Sequence, residues 1–440
     1  MTSIGLPSDD REESAHAVVQ CNRVEIDHQD WMQRNSPQVD GLYLHTPFCF
    51  HKCHYCDFYS LVESQGRGED RHIPLADRLI EELQFWAALT PIRPATIFVG
   101  GGTPTLLSDD AWRRLLTGLR DSGTLDKVHE FTVEANPETV TADKLALLVA
   151  GGVNRVSVGA QSFNLTHLKT LERWHDPANV AVAVDLARNA GIHNINLDLI
   201  FAIPGQTLAD VDADLDHALA LKPTHVSYYN LTYEANTAMT QRLNMGQFQP
   251  IDEDLEHDMF ARIIERLADA GFEHYEISNW AKRPVSEELG EVNDDSDANQ
   301  TGTPATIASD NPYRCQHNLL YWQSRDWLGI GPSASSHAAG LRWKNAPHLG
   351  KYLATGPQPP MVDVEALPMH QQVGERLMMY IRLLDGIPRC WLSAHLPSED
   401  ARWRGIADLV DQGLLTSGQE GIRLTPKGLF LADHIAGLLL

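Results

Sequence analysis

The chain has 440 residues, 43% of them apolar, which is enough for a large barrel with a smaller second domain. Its formal charge of −24 argues against nucleic acid as a partner, because phosphate binding needs a basic face. No apolar stretch reaches membrane-spanning length, and the first forty residues lack the basic start and apolar run of a secretory signal, so the reading is a cytoplasmic protein.

Residues 1–38 are polar and acidic without a clear period and read as a disordered extension carrying an incidental Cys21. From Gly41 onward short β-rich runs alternate with helical patterns. The runs are Gly41–Pro47, Thr96–Gly102, Phe131–Asn136, Arg155–Gln161, Ile195–Ile203 and His225–Thr232. Between them lie helical candidates such as Pro74–Leu89, Asp109–Leu119, Thr141–Ala150 and Leu208–Leu221. This alternation predicts a parallel sheet covered by helices, and six runs fit a partial (β/α)6, TIM-like barrel over residues 39–283. Gly101, Gly102, Thr103, Glu134, Gln161 and Asp198 fall at or near the carboxyl ends of their runs, where parallel barrels build their sites.

After a helical stretch at Ile251–Ala270, residues 284–311 change character. Seven acidic residues and no Lys or Arg lie between Glu287 and Asp310, a composition that reads as a disordered insertion. Residues 312–365 form a connecting region containing His317-Asn-Leu-Leu-Tyr321-Trp322. Residues 366–440 read as a mostly helical, winged-helix-like domain with a two-stranded wing before Gly428. Without a basic recognition stripe it is expected to pack or to cover substrate.

The chemistry concentrates in Cys49-x3-Cys53-x2-Cys56. Three thiolates with no fourth suit a cubic four-iron cluster with one iron left open, whereas closed zinc sites want four protein ligands. Zinc with His45, His51 or His54 as a fourth ligand is the alternative on spacing alone. The spacing resembles that of radical S-adenosylmethionine (SAM) proteins. Tyr43–Cys49, Gly100–Thr105, Gly159–Phe163, Asp198–Thr207 and Tyr275–Ala281 together resemble the anaerobic coproporphyrinogen dehydrogenase family and its relatives. The order is the same from about Gly41 to the C terminus, the acidic insertion excepted.

The resemblance implies a radical SAM barrel holding a 4Fe-4S cluster on Cys49, Cys53 and Cys56. It also implies SAM held by Tyr43, Gly101, Gly102, Thr103, Glu134, Gln161, Arg173 and Asp198. Reductive cleavage of SAM to a 5′-deoxyadenosyl radical is the chemistry that such a site supplies. The Gly100–Thr105 loop is expected to offer its amides to the ligand.

Two branches compete. The dehydrogenase branch, which decarboxylates coproporphyrinogen III without oxygen, carries a further cysteine where this chain has Phe58. The branch of heme chaperones adds a His-Asn-x-x-Tyr-Trp motif, matched here by His317, Tyr321 and Trp322. The implied function is binding of heme at these three residues and its delivery to apoproteins, with respiratory ones foremost. Whether SAM is turned over, and so whether the chain is an enzyme, stays open. An electron donor such as a flavodoxin or ferredoxin, and a homodimer, are compatible with the family. On residue chemistry alone, an imidazole suits heme iron and two aromatics suit a macrocycle, but without the resemblance a hydrogen-bonded histidine and two core aromatics in a strand or loop is the better reading.

Overall fold

In the computed structural model the described residues are 28–63, 71–284 and 311–440. Most of the proposed 1–38 extension, Cys21 and nearly all of the 284–311 insertion lie outside them. The last part of that extension differs from expectation. His28–Asn35 is a helix, and its Met32 is fully buried in the main core.

Six strands follow the six runs: β1 (Gly41–Thr46), then, after the short parallel pair β2 (Phe48–Cys49) and β3 (Leu61–Val62), β4 (Thr96–Gly101), β5 (Glu130–Ala135), β6 (Arg155–Gln161), β7 (Asn194–Phe201) and β8 (His225–Asn230). They are parallel and adjacent in chain order. Their near-continuous burial is what a sheet covered on both faces imposes. The hairpin β9 (Phe272–Glu276) and β10 (Asn279–Lys282) adds antiparallel beside β8.

On the other flank, β11 (Trp327–Ile330) is a seventh parallel strand, paired with β1. Beyond it β12 (Ser335–Ala338), β13 (Leu341–Asn345) and β14 (Met361–Ala366) run antiparallel. The stretch 312–365 thus extends the barrel's own sheet, which has twelve strands among the described residues. Its strands of four to six residues, broken by Gly and Ser, carry too little periodicity to be read from sequence.

The helix Asp109–Asp121 shows how covering elements position the site. Ser108 caps it by accepting from the Ala111 amide at 3.3 Å, and Asp109 and Asp110 sit in its positive first turn. It buries Trp112, Leu115, Leu116 and Leu119 against the sheet, roughly 1.5–3 kcal/mol for each large apolar side chain. The Trp112 indole donates to the Pro104 carbonyl at 3.0 Å, which fixes the glycine loop at the end of β4.

The C-terminal region has its own apolar core, including Leu377, Leu392, Ile406 and Ile435. Its wing is β16 (Leu415–Ser417) and β17 (Gly421–Leu424), joined by the two-residue β15 (Ile387–Pro388). No helix among the described residues is long and apolar enough to cross a membrane.

Candidate functional site

The cysteine loop leaves β1 and is held between β2 and β3 at the carboxyl end of the barrel. Cys53 is buried, while Cys49 and Cys56 are half-buried. The Cys56 amide donates to the Cys53 carbonyl at 3.2 Å. Arg173 clamps the loop: Nη1 donates to Cys53 Sγ at 3.6 Å and Nη2 to the Gly159 carbonyl at 3.0 Å. The Thr103 hydroxyl donates to Cys49 Sγ at 3.6 Å.

Burial pushes the Cys49 thiol up and the Cys56 thiol up to about 12, and each thiol feels its neighbours' charge. At Cys49 the Thr103 hydroxyl and the Arg173 guanidinium act the other way and favour thiolate. A thiolate-held cluster supported by outer hydrogen bonds fits this donor set. Among the described residues no three His, Cys, Asp or Glu side chains gather around a single metal-ion position. Of the candidate fourth zinc ligands, His45 and His54 have ring nitrogens engaged elsewhere, whereas His51 Nε2 is buried without a hydrogen-bond partner among the described residues. His45 bonds the Tyr59 carbonyl at 2.8 Å, His51 stacks on Trp174 at 3.8 Å, and His54 faces Arg242 at 3.2 Å.

The glycine loop docks on the cysteine loop. The Gly102 amide donates to the Thr46 carbonyl and the Thr103 amide to the Phe48 carbonyl, both at 2.7 Å. The Gly101 amide donates to Glu134 at 3.2 Å. The amides are therefore spent within the protein; what remains for an amino group is the kind of acceptor it needs, a carbonyl or a carboxylate. Close approach explains the glycines: a Cβ on Gly102 would lie 2.6 Å from the Phe48 carbonyl, and one on Gly101, at φ +105°, would run into the His45 ring.

Burial, with repulsion from Asp198, raises Glu134 to about 8. Asp198 is also raised by burial, and accepts from Ser157 Oγ at 2.8 Å and Asn196 Nδ2 at 2.7 Å. Gln161 ends β6 at φ +62°. Tyr43 shares a 3.0 Å hydrogen bond with His45, and its ring stacks on Phe98.

The His317 motif is helical, Gln316–Trp322, and closes the opposite end of the barrel. Glu130, first residue of β5, accepts from the amides of Gln316 at 2.9 Å and His317 at 3.0 Å. The His317 ring is buried, stacked on Phe98 and held at both nitrogens: Nδ1 to Thr96 Oγ1 at 2.7 Å, Nε2 to the Tyr321 hydroxyl at 2.8 Å. Burial and the charge of Arg155 lower its pKa to about 3, so the ring is neutral. Gly41 leaves room for this packing, since a Cβ there would meet Leu320 at 2.8 Å and His317 at 3.3 Å. Trp322 lies under the Arg382 guanidinium.

These two ends share one chamber of about 1240 Å³, lined by Tyr43, Gly101, Glu134 and Asp198 and equally by His317, Tyr321 and Trp322. It exceeds the roughly 300–1,000 Å³ of ordinary small-molecule pockets. Phe58, 59% exposed, and Leu429–His434 of the C-terminal region also line it. The lining does not include the three cysteines, Gly102, Thr103, Gln161 or Arg173. Tyr321, Trp327 and Met379 line both this chamber and a side cavity of about 150 Å³.

Sequence reasoning missed the polar interior between the two ends. Arg155, Asn196 and Ser227 line it, and His225 behind them is bonded to Asn196 at 2.6 Å and to the Tyr275 hydroxyl at 2.8 Å. Their one sequence signal is polar residues at every second position inside otherwise apolar strands.

The Radical SAM superfamily profile matches residues 43–218. The heme chaperone HemW of Mycobacterium tuberculosis H37Rv is 35% identical over 408 residues, spanning 92% of this chain and 95% of that protein. The heme chaperone HemW of Escherichia coli K12 is 34% identical over 414 residues, spanning 91% and 98%. Among solved structures, the radical SAM enzyme coproporphyrinogen III oxidase (HemN) of Escherichia coli superposes with a TM-score of 0.75. It is 21% identical, with 94% of this chain and 93% of that one covered, a likeness of fold.

Proposed function

The chain belongs to the HemW heme chaperone family, and from that premise we propose that it binds heme in the barrel chamber and hands it to apoproteins, respiratory ones foremost. The observation that carries the reading is the meeting of Tyr43, Gly101, Glu134 and Asp198 with the His317 motif on the walls of one chamber large enough for more than one ligand. Phe58 supports it against oxidative decarboxylation of coproporphyrinogen III, because an exposed aromatic ring lines the chamber where that branch carries a thiol.

Cys49, Cys53 and Cys56 would hold the cluster, which when bound supplies the electron for SAM cleavage. Arg173 and Thr103 orient the cysteines, and Glu134 and Asp198 face the cofactor's polar groups. His317 offers Nε2 to iron once the Tyr321 hydroxyl leaves it, while Tyr321 and Trp322 give the macrocycle flat surfaces. A cytoplasmic setting suits both the cluster and the sparse cysteines.

The test is anaerobic heme titration of cluster-loaded protein, with His317→Ala alongside. Saturable binding that weakens at least about tenfold in the variant is expected, with cluster absorbance and SAM binding kept. Equal binding by the variant would remove the motif from the argument. No saturable binding by the unmodified protein, together with conversion of coproporphyrinogen III, would put the enzyme reading in its place.

A further inference from the structure

Arg155 begins β6 and is only 2% exposed, yet it lines the chamber. Of its five N–H donors one is used, Nη1 to Thr132 Oγ1 at 3.5 Å; Nε is buried without a hydrogen-bond partner. The carboxylates whose charge it feels, Glu130 and Asp198, are engaged by other donors, the first by the amides of Gln316 and His317, the second by Ser157 and Asn196. A buried guanidinium with so few acceptors is costly unless something else supplies them.

We propose that Arg155 receives a carboxylate of the ligand held in the chamber, namely one propionate arm of the tetrapyrrole. The proposal rests on the heme reading above. Two observations select this source over the carboxylate of SAM. Arg155 and Gln161 are the two ends of one strand, six residues or about 20 Å apart, and the cysteine loop with Arg173 lies at the Gln161 end. An amino acid moiety chelating a cluster iron there does not reach Arg155. His317, by contrast, is a neighbour, close enough for the Arg155 charge to act on its ring. An arriving carboxylate takes Nη2 and, after a turn of the guanidinium, Nε, the paired geometry that arginine favours.

The experiment compares heme with heme whose two propionates are methyl esters, in cluster-loaded protein and in Arg155→Gln. The unmodified protein is expected to prefer heme by about tenfold or more, and the variant to lose that preference while binding the ester as before. SAM affinity is expected to be unchanged. No preference in the unmodified protein, or a preference that survives Arg155→Gln, overturns the proposal. So does lost SAM affinity with the preference intact, which would reassign Arg155 to the cofactor. If neither heme nor ester binds saturably, the heme reading itself has failed and the proposal falls with it. Arg155→Lys guards against a misfolded glutamine variant: its point charge without the fork should keep heme binding but shrink the preference.

Discussion

The Tyr321 hydroxyl sits on the His317 nitrogen that iron would need, and Tyr321→Phe removes it. In the tautomer with the proton on Nδ1, donated to Thr96, Nε2 carries the lone pair and accepts from Tyr321 at 2.8 Å. Phenylalanine keeps the ring contacts, 5.0 Å to His317 and 4.8 Å to Trp327, so packing is preserved. The heme-free variant then has a buried nitrogen without a partner, which costs about 1–3 kcal/mol. Iron coordination relieves that cost, so heme affinity is expected to rise by about five- to 150-fold. The heme-free variant should also melt at lower temperature. The assay is anaerobic titration followed at the heme absorbance band, with thermal unfolding of the heme-free protein. Binding equal to or weaker than that of the unmodified protein would refute the idea that the hydroxyl masks the nitrogen.

Glu134 predicts a pH dependence for the cofactor. Its pKa of about 8 means that it is largely protonated at pH 7 and must ionise to face the cationic SAM. Affinity should therefore rise with pH between about 6 and 8, approaching tenfold per unit, and level off above; Glu134→Gln should flatten the profile. Gly102→Ala places a methyl 2.6 Å from the Phe48 carbonyl and 2.8 Å from the Thr46 carbonyl, both backbone. It is expected to part the two loops, so that reconstituted protein retains well under half the iron and sulfide of the unmodified chain; full retention would show the docking to be dispensable.

The barrel was legible because fully buried parallel strands read as apolar runs between turn residues, and β1 and β4 to β8 coincide with those runs to within a few residues. The glycine loop was legible because only glycine allows the close approach found there, and the cysteines because three thiols so closely spaced are rare in a chain with six. What the amides of that loop do was not legible, since Thr46 and Phe48 became their partners only through the docking of two segments about 55 residues apart. The His317 motif could be singled out, but not its helical state, because seven residues are too few to show a period. The role of Glu130, latching that helix from the far side of a 186-residue separation, has no local signal at all. Arg155 looked like an ordinary polar start to a strand until burial set it apart.

Phe98 lies between the two halves of the chamber, its ring 6.3 Å from Tyr43 and 5.3 Å from His317. A ligand that shifts either neighbour is felt by the other through that ring. The energy of such coupling has no direction: whatever factor SAM imposes on heme affinity, heme must impose on SAM affinity. On the heme reading proposed above, any such coupling would make the departure of heme felt at the cysteine-loop end as a change in how tightly the cofactor is held.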